Sequence, residues 1–227
     1  MPETQRLADE LKLVGAELVR LDPHNRTVEL LRGGMRLDFG GIAKGFAADE
    51  ALRVLRNHGL NRSLVDASGD IVAGDPPPDA CFWVVAIEAL RSRPPDQNST
   101  GENITAPSLA TVPRLKLCNG AVATSGDAYQ SVVIGGRRFS HIVDPKTGLG
   151  LNQRSSVTII ARNGMMADGL ASAVSVLGPE AGIRLLSDSE HCETEGYIMF
   201  AKGESNKVRT ASSSGLTKFL IDPKPRE

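Results

Sequence analysis

Two adjacent glycines, Gly135-Gly136, separate a β-prone run, Tyr129 to Ile134, from an alternating segment, Arg137 to Val143. A glycine pair between two such runs calls for a tight antiparallel hairpin. The hairpin falls inside the densest chemistry of the chain, Ala123 to Gly148, ATSGDAYQSVVIGGRRFSHIVDPKTG. In its second strand Arg138, Ser140 and Ile142 alternate with Phe139, His141 and Val143, so strand periodicity puts His141 on the inward face beside Phe139 and Val143. With Asp144-Pro145-Lys146-Thr147-Gly148 following at once, the segment reads as a strand carrying a histidine into a turn, where binding and catalytic groups are often placed. A core histidine bonded to a backbone carbonyl fits the same pattern.

A chain of 227 residues, 41% hydrophobic and 23% charged, suits an ordinary globular protein, and one domain is expected. Basic residues number 26 and acidic residues 27, which leaves no chain-wide electrostatic footprint for nucleic acid or an anionic membrane. A phosphorylated ligand therefore needs a local site. Cys81, Cys118 and Cys192 are far apart and form no C-x-x-C pair, which indicates buried or idle thiols rather than a disulfide framework or a thiolate zinc site. No apolar run approaches the ~20 residues of a membrane helix. Met1 to Val14 is charged throughout, without a signal-peptide core, so no export signal is read and the compartment stays open.

Leu7, Leu11 and Val14 fall at helical spacing and predict a short helix over Glu3 to Leu13, ended by Gly15. Glu17 to Leu31 predicts two short strands about a turn at Pro23 to Asn25. Leu37 to Gly45, LDFGGIAKG, reads as a strand end running into two glycines and then a helix. Ala43, Ala47, Ala51, Val54, Leu55 and His58 form the stripe of that helix, and Gly59 its stop. Glycines there allow close backbone approach to a ligand, and a helix start favours anions. The motif is neither a Walker A loop nor a dinucleotide fingerprint, and a plain tight turn also accounts for it.

Ser63 to Ile71 reads as a buried strand ending in small residues and carboxylates, or as a capped turn. A strand is expected over Cys81 to Ile87, and the polar, proline-rich stretch 91–113 is expected to be a surface insertion. Ser155 to Ala161 predicts a buried strand, and Met165 to Gly178 a helix with Met166, Leu170, Val174 and Leu177 as its apolar stripe. Asp168 and Ser172 stand one turn apart on another face, able to offer two oxygens to a hard cation or simply to bond each other. A helix at Pro179 to Leu186, a strand at Tyr197 to Phe200, a loop at Thr210 to Ser214 and a terminal strand at Leu220-Ile221 complete the reading.

Taken in order, LDFGGIAKGFAAD, DASGDI, AVATSGD, FSHIVDPKTG, and SVTIIA followed by MMADGLASAVSVLGPEAG resemble the motif series of the ApbE family, flavin transferases that move FMN from FAD onto a protein threonine. Order and spacing match from Leu18 to Leu186. The resemblance implies an α+β fold like the tunnelling fold, with the flavin nucleotide site between two α/β halves. It implies one domain over 18–227, preceded by a segment, 1–17, that is short relative to the family. The implied activity is Mg²⁺-dependent transfer of FMN from FAD to a threonine or serine hydroxyl of an acceptor flavoprotein, with release of AMP. A family member that only binds or hydrolyses FAD, or a non-catalytic binding module, is the alternative. Family members usually act in the bacterial cell envelope or periplasm.

Residue by residue, His141 matches the family's catalytic histidine and Asp168 its metal-binding aspartate. Ser172 stands where the family usually has threonine, and the carbonyl of Ala43 matches the position that completes the metal site, with Ala171 beside it. Gly40, Gly41, Lys44, Gly69, Asp70, Thr124, Ser125 and Gly126 match the positions around the flavin nucleotide. Asp66 and Ser68 stand where the family usually has asparagine and glycine, and the added charge and side chain predict weaker FAD binding.

Overall fold

The computed structural model describes residues 1–87, 90, 113–126, 131–188, 193–201 and 208–221. In chain order these form α1 (Thr4–Leu11), β1 (Val19–Asp22), β2 (Thr27–Leu30), α2 (Ala43–Asn57), β3 (Leu64–Ala67), β4 (Asp70–Ala73), β5 (Trp83–Ala86), β6 (Arg114–Leu117) and β7 (Gly120–Gly126). There follow β8 (Ser131–Ile134), β9 (Arg137–Ser140), β10 (Val143–Asp144), β11 (Leu149–Gly150), β12 (Arg154–Ala161), α3 (Gly164–Leu177), α4 (Pro179–Leu186), β13 (Glu195–Ala201) and β14 (Val208–Ser212). The chain divides into two compact units, Met1–Phe39 with Gln130–Asn152, and Gly40–Tyr129 with Gln153–Glu227. Apart from Pro113, the expected insertion at 91–113 lies outside the described residues, as does Cys192. Cys81 and Cys118 are exposed rather than buried.

The larger unit is built on a six-stranded, wholly antiparallel sheet in the order β14-β13-β12-β7-β4-β3. Both faces are covered, which is why consecutive residues of β12 from Ser156 to Ala161 are all buried. Ala121, Ala123, Val157, Ile159 and Ile198 join Ala48 and Leu52 of α2, Ala167, Leu170 and Val174 of α3, and Leu186 of α4 in one core. The alternate residues Val122, Ile160, Met199 and Ala201 join Val85, Leu115 and Leu117 of the β5–β6 hairpin, with Leu216, in the other. The α+β class inferred from the sequence is what the chain adopts.

Several local expectations change. No strand runs directly into α2, because 35–39 pairs with no strand among the described residues. The buried face of α2 is Gly45, Ala48 and Leu52, while Ala47, Ala51 and Val54 are exposed. In an alanine-rich helix several stripes look alike, and backbone contact decides: a Cβ on Gly45 would overlap the carbonyl of Gly164, and one on Gly164 would overlap Val72. On α3, Ala167, Leu170, Ala171 and Val174 are buried, whereas Leu177 is exposed.

Ser63 to Ile71 is a hairpin rather than one strand. Ser68 (φ +57) and Gly69 (φ +93) turn β3 into β4, and Asp66 Oδ1 accepts the Gly69 amide at 2.8 Å. The segment read as a loop at Thr210 to Ser214 is largely β14, held by its ladder to β13. Leu220 makes only an isolated bridge, to Leu115, in place of a terminal strand.

In the smaller unit Gly135 (φ +58) and Gly136 (φ +75) close the β8–β9 hairpin as expected. β1 and β2 pair about a turn in which Asp22 accepts the Asn25 amide at 3.0 Å. The β10–β11 hairpin wraps DPKTG, with Asp144 accepting the Lys146 amide through its side chain and the Gly148 amide through its carbonyl, both at 2.8 Å. Leu7 and Leu11 of α1 pack against Gly148.

Candidate functional site

The site in the larger unit begins where α2 meets α3. Ile42, at the N-cap of α2, has no side-chain oxygen to offer the orphan amides of the first turn. One of them, Gly45 N–H, donates instead to Oδ2 of Asp168 on α3 at 3.1 Å. Asp168 is 5% exposed, and this amide helps to offset the cost of burying a carboxylate.

The favour is returned at the start of α3. Asp49 of α2 accepts the amides of Gly164 at 2.7 Å and Met165 at 2.9 Å, and the N-cap Asn163 accepts that of Met166 at 2.8 Å. Each helix therefore supplies a carboxylate to the other's first turn. The Gly41-Ile42 lead-in runs across α3: a Cβ on Gly41 would stand 3.4 Å from Ser172 Oγ, and one on Gly169 would stand 3.2 Å from Ile42 Cγ2.

Lys44 and Asp70 form the second part. The half-exposed ammonium of Lys44 lies 2.7 Å from Oδ2 of the buried Asp70, an ion pair in which that oxygen receives no well-directed hydrogen bond. Burial pushes the Asp70 carboxyl above the usual carboxylate range. The Lys44 ammonium and the Thr124 amide pull it back, while the charge of Asp168 pushes it further up. The Thr124 hydroxyl lies 3.0 Å from that of Thr158.

Lys44 pairs with Asp70, Asp70 accepts from the Thr124 amide, Asp168 bonds the Gly45 amide, and Ser172 faces Gly41, so these residues gather about the start of α2. Ala43 is the first residue of α2, and Gly40 precedes it in the turn. Ser125 and Gly126 continue β7 opposite Val157 and Ser156, and Gly69 lies in the exposed β3–β4 turn. Ala171 is wholly buried, and its carbonyl accepts the Ser175 hydroxyl at 2.8 Å. Asp49 carries no local sequence signal, since its partners lie 115 and 116 residues away. Asn163 directly before α3 does match an N-cap signal, which the sequence reading passed over.

His141 belongs to the smaller unit, and its expected place on an inward strand face is corrected. β9 ends at Ser140, whose hydroxyl accepts the Ile142 amide at 3.1 Å. Leu151 accepts from the Ser140 amide and donates to the Ile142 carbonyl, each at 2.8 Å, so His141 bulges out of the ladder between them. Phe139 is 8% exposed and Val143 50%, and His141 lies on the exposed side of this break.

The donors available for the implied Mg²⁺ are the Asp168 carboxylate, the Ser172 hydroxyl and the Ala43 carbonyl, all oxygen, as a small hard cation requires. Among the described residues no group of three or more His, Cys, Asp or Glu side chains is placed to hold a metal. A cation here would therefore depend on hydroxyl, carbonyl, water and substrate oxygens beside the single carboxylate.

Fold and site together define an antiparallel α+β domain with a buried carboxylate, Asp168, bonded to a glycine-led helix start. Residues 1–197 match the ApbE family, and the chain belongs to that family. It is similar to the FAD:protein FMN transferase of Treponema pallidum, 37% identical over 175 residues covering 73% of this chain and 44% of that protein. The FAD:protein FMN transferase of Haemophilus influenzae is 29% identical over 221 residues, 96% of this chain and 59% of that protein. The chain thus spans about half the length of these relatives. The crystal structure of the ApbE protein from Thermotoga maritima superposes with a TM-score of 0.77 at 28% identity, over 98% of this chain and 65% of that one. The flavin transferase ApbE from Vibrio cholerae gives 0.75 at 27%, over 97% of this chain and 63% of that one.

Proposed function

We propose that this chain transfers FMN from FAD to a threonine or serine hydroxyl of an acceptor flavoprotein, releasing AMP. The observation that carries the reading is the buried Asp168 bonded to the first turn of α2, with the Lys44–Asp70 ion pair at the same helix start. Further support comes from the transferase activity named for the Treponema and Haemophilus relatives.

Asp168, Ser172 and the Ala43 carbonyl would hold Mg²⁺, which when bound neutralises charge on the FAD pyrophosphate. Lys44 brings a second cation, and the positive end of α2 favours a phosphate. In the transfer the acceptor hydroxyl oxygen forms a bond to the FMN phosphorus while the pyrophosphate bond to AMP breaks. His141 takes the hydroxyl proton, and AMP departs with the bridging oxygen. A base that must meet the side chain of another protein needs to be accessible, and His141 is exposed at its bulge.

The test is incubation of the purified chain with FAD, Mg²⁺ and a flavin-free acceptor, followed by intact-mass analysis and AMP quantification. One FMN on the acceptor per AMP formed supports transfer. Free FMN and AMP with an unlabelled acceptor would reduce the activity to FAD hydrolysis, and recovery of intact FAD would reject both.

A further inference from the structure

Asp49 closes the motif LDFGGIAKGFAAD, and nothing in the proposed reaction uses it. Its surroundings give it a role. Both of its carboxylate oxygens are engaged, Oδ1 by Gly164 N–H and Oδ2 by Met165 N–H, the opening amides of α3. Asp49 lies one turn after Gly45 on α2, and Gly164 one turn before Asp168 on α3, so the Asp49–Gly164 and Asp168–Gly45 bonds are successive rungs between the two helices. The glycine crossing at Gly45 and Gly164 lies between the rungs and brings the two backbones into contact, while Ala48 and Leu52 of α2 share a core with Ala167 and Leu170 of α3. The two directional bonds add to that packing a fixed placement of the helices' first turns.

We propose that Asp49 is a positioning residue: by clamping the first turn of α3 it fixes where Asp168 stands relative to the start of α2, and so the geometry of the oxygen donors there. The metal part of this inference rests on the function proposed above, whereas the positional part does not.

Asn163 supplies the control. It also caps α3, through Met166 N–H, but belongs to α3's own lead-in and makes no rung to α2. Asp49→Ala and Asn163→Ala each remove α3 capping, yet only the first releases α3 from α2. The primary measurement is amide hydrogen exchange at Gly45 by NMR, without metal, in the wild type, Asp49→Ala, Asp49→Asn and Asn163→Ala. Gly45 protection should fall at least tenfold in Asp49→Ala, less in Asp49→Asn, which keeps one acceptor, and should be unchanged in Asn163→Ala. Equal loss in both alanine variants, or no loss in Asp49→Ala, would overturn the proposal. If Asp49→Ala does not fold, the comparison of Asp49→Asn with Asn163→Ala decides in the same way.

Mg²⁺ titration by calorimetry reads the consequence. Asp49→Ala should bind about tenfold more weakly than the wild type, in the range usual for residues that orient a metal ligand, and Asn163→Ala should bind as the wild type does. A wild type that binds no Mg²⁺ would count against the metal reading alone, since the Gly45 exchange result stands without it.

Discussion

Asp168 and Gly45, 123 residues apart in sequence, are joined by an amide-to-carboxylate hydrogen bond of 3.1 Å that ties the middle of α3 to the first turn of α2. It satisfies an amide that Ile42 cannot cap and engages one oxygen of a buried carboxylate, leaving the other for a further partner. The capping of a helix and the aiming of a candidate metal ligand are therefore one interaction.

The crossing that permits this bond tolerates no side chain at residue 45. A Cβ there would overlap the Gly164 carbonyl and crowd the Met165 amide, both backbone groups of α3. Gly45→Ala should destabilise the fold by about 2–3 kcal/mol, the upper range for overpacking, despite alanine's better helix propensity. Urea denaturation measures it, and a stabilised variant would mean that the helices can part without cost.

Asp70 gives a prediction in pH. Burial is the main cause that raises its carboxyl above the ordinary value, so the folded chain holds that proton more tightly than the unfolded chain. The contribution to stability is full below the unfolded pKa, near the ordinary aspartate value of 3.8, and is lost as pH rises through the raised folded value. Asp70→Asn cannot ionise. Its stability relative to the wild type should improve as pH rises across that window and then level off, as followed by urea denaturation at a series of pH values. A relative stability that worsens with pH would show that the Lys44 pairing outweighs burial.

The β3–β4 turn carries a correctable strain. Ser68 adopts φ +57, a left-handed conformation that costs a serine about 1 kcal/mol and that asparagine accepts readily in two-residue hairpin turns. Ser68→Asn should stabilise the chain by about 0.5–1 kcal/mol, visible as a higher urea midpoint with an unchanged slope. Asp66 caps the same turn at 2.8 Å, a task its carboxylate performs as an asparagine carbonyl would.

The sequence reveals what short-range chemistry determines. Gly135-Gly136 announces its hairpin, Pro179 opens α4 after Gly178, and the Val157 to Ala161 part of β12 shows as a buried-type strand. Asp168 and Ser172 are visible as an i, i+4 pair, but the chain gives no local hint that Gly45 and Asp49 complete their setting, because the partners meet only when α2 crosses α3. The buried face of α2 is hidden from the sequence for the same reason: glycine at the crossing, not the apolar pattern, selects it. β14 has weak strand chemistry in VRTAS and is made a strand by its neighbour β13. The bulge at His141 follows from two bonds to Leu151, which alternation along β9 cannot foretell.

That bulge frames the last prediction. His141 is exposed beyond the end of β9, where the side chain of a partner protein can reach it. If it accepts the acceptor's hydroxyl proton, His141→Ala should slow FMN transfer by about 10²- to 10⁴-fold, the range for loss of a general base. FAD and Mg²⁺ affinities should not change, because the groups proposed to bind them lie on α2, α3 and the strands of the larger unit. An exposed site also admits a small substitute, and added imidazole should restore part of the rate in a pH-dependent way. Single-turnover assays with FAD and acceptor at saturation separate the two effects: loss of FAD binding with the chemical step intact would move His141 from proton transfer to substrate binding.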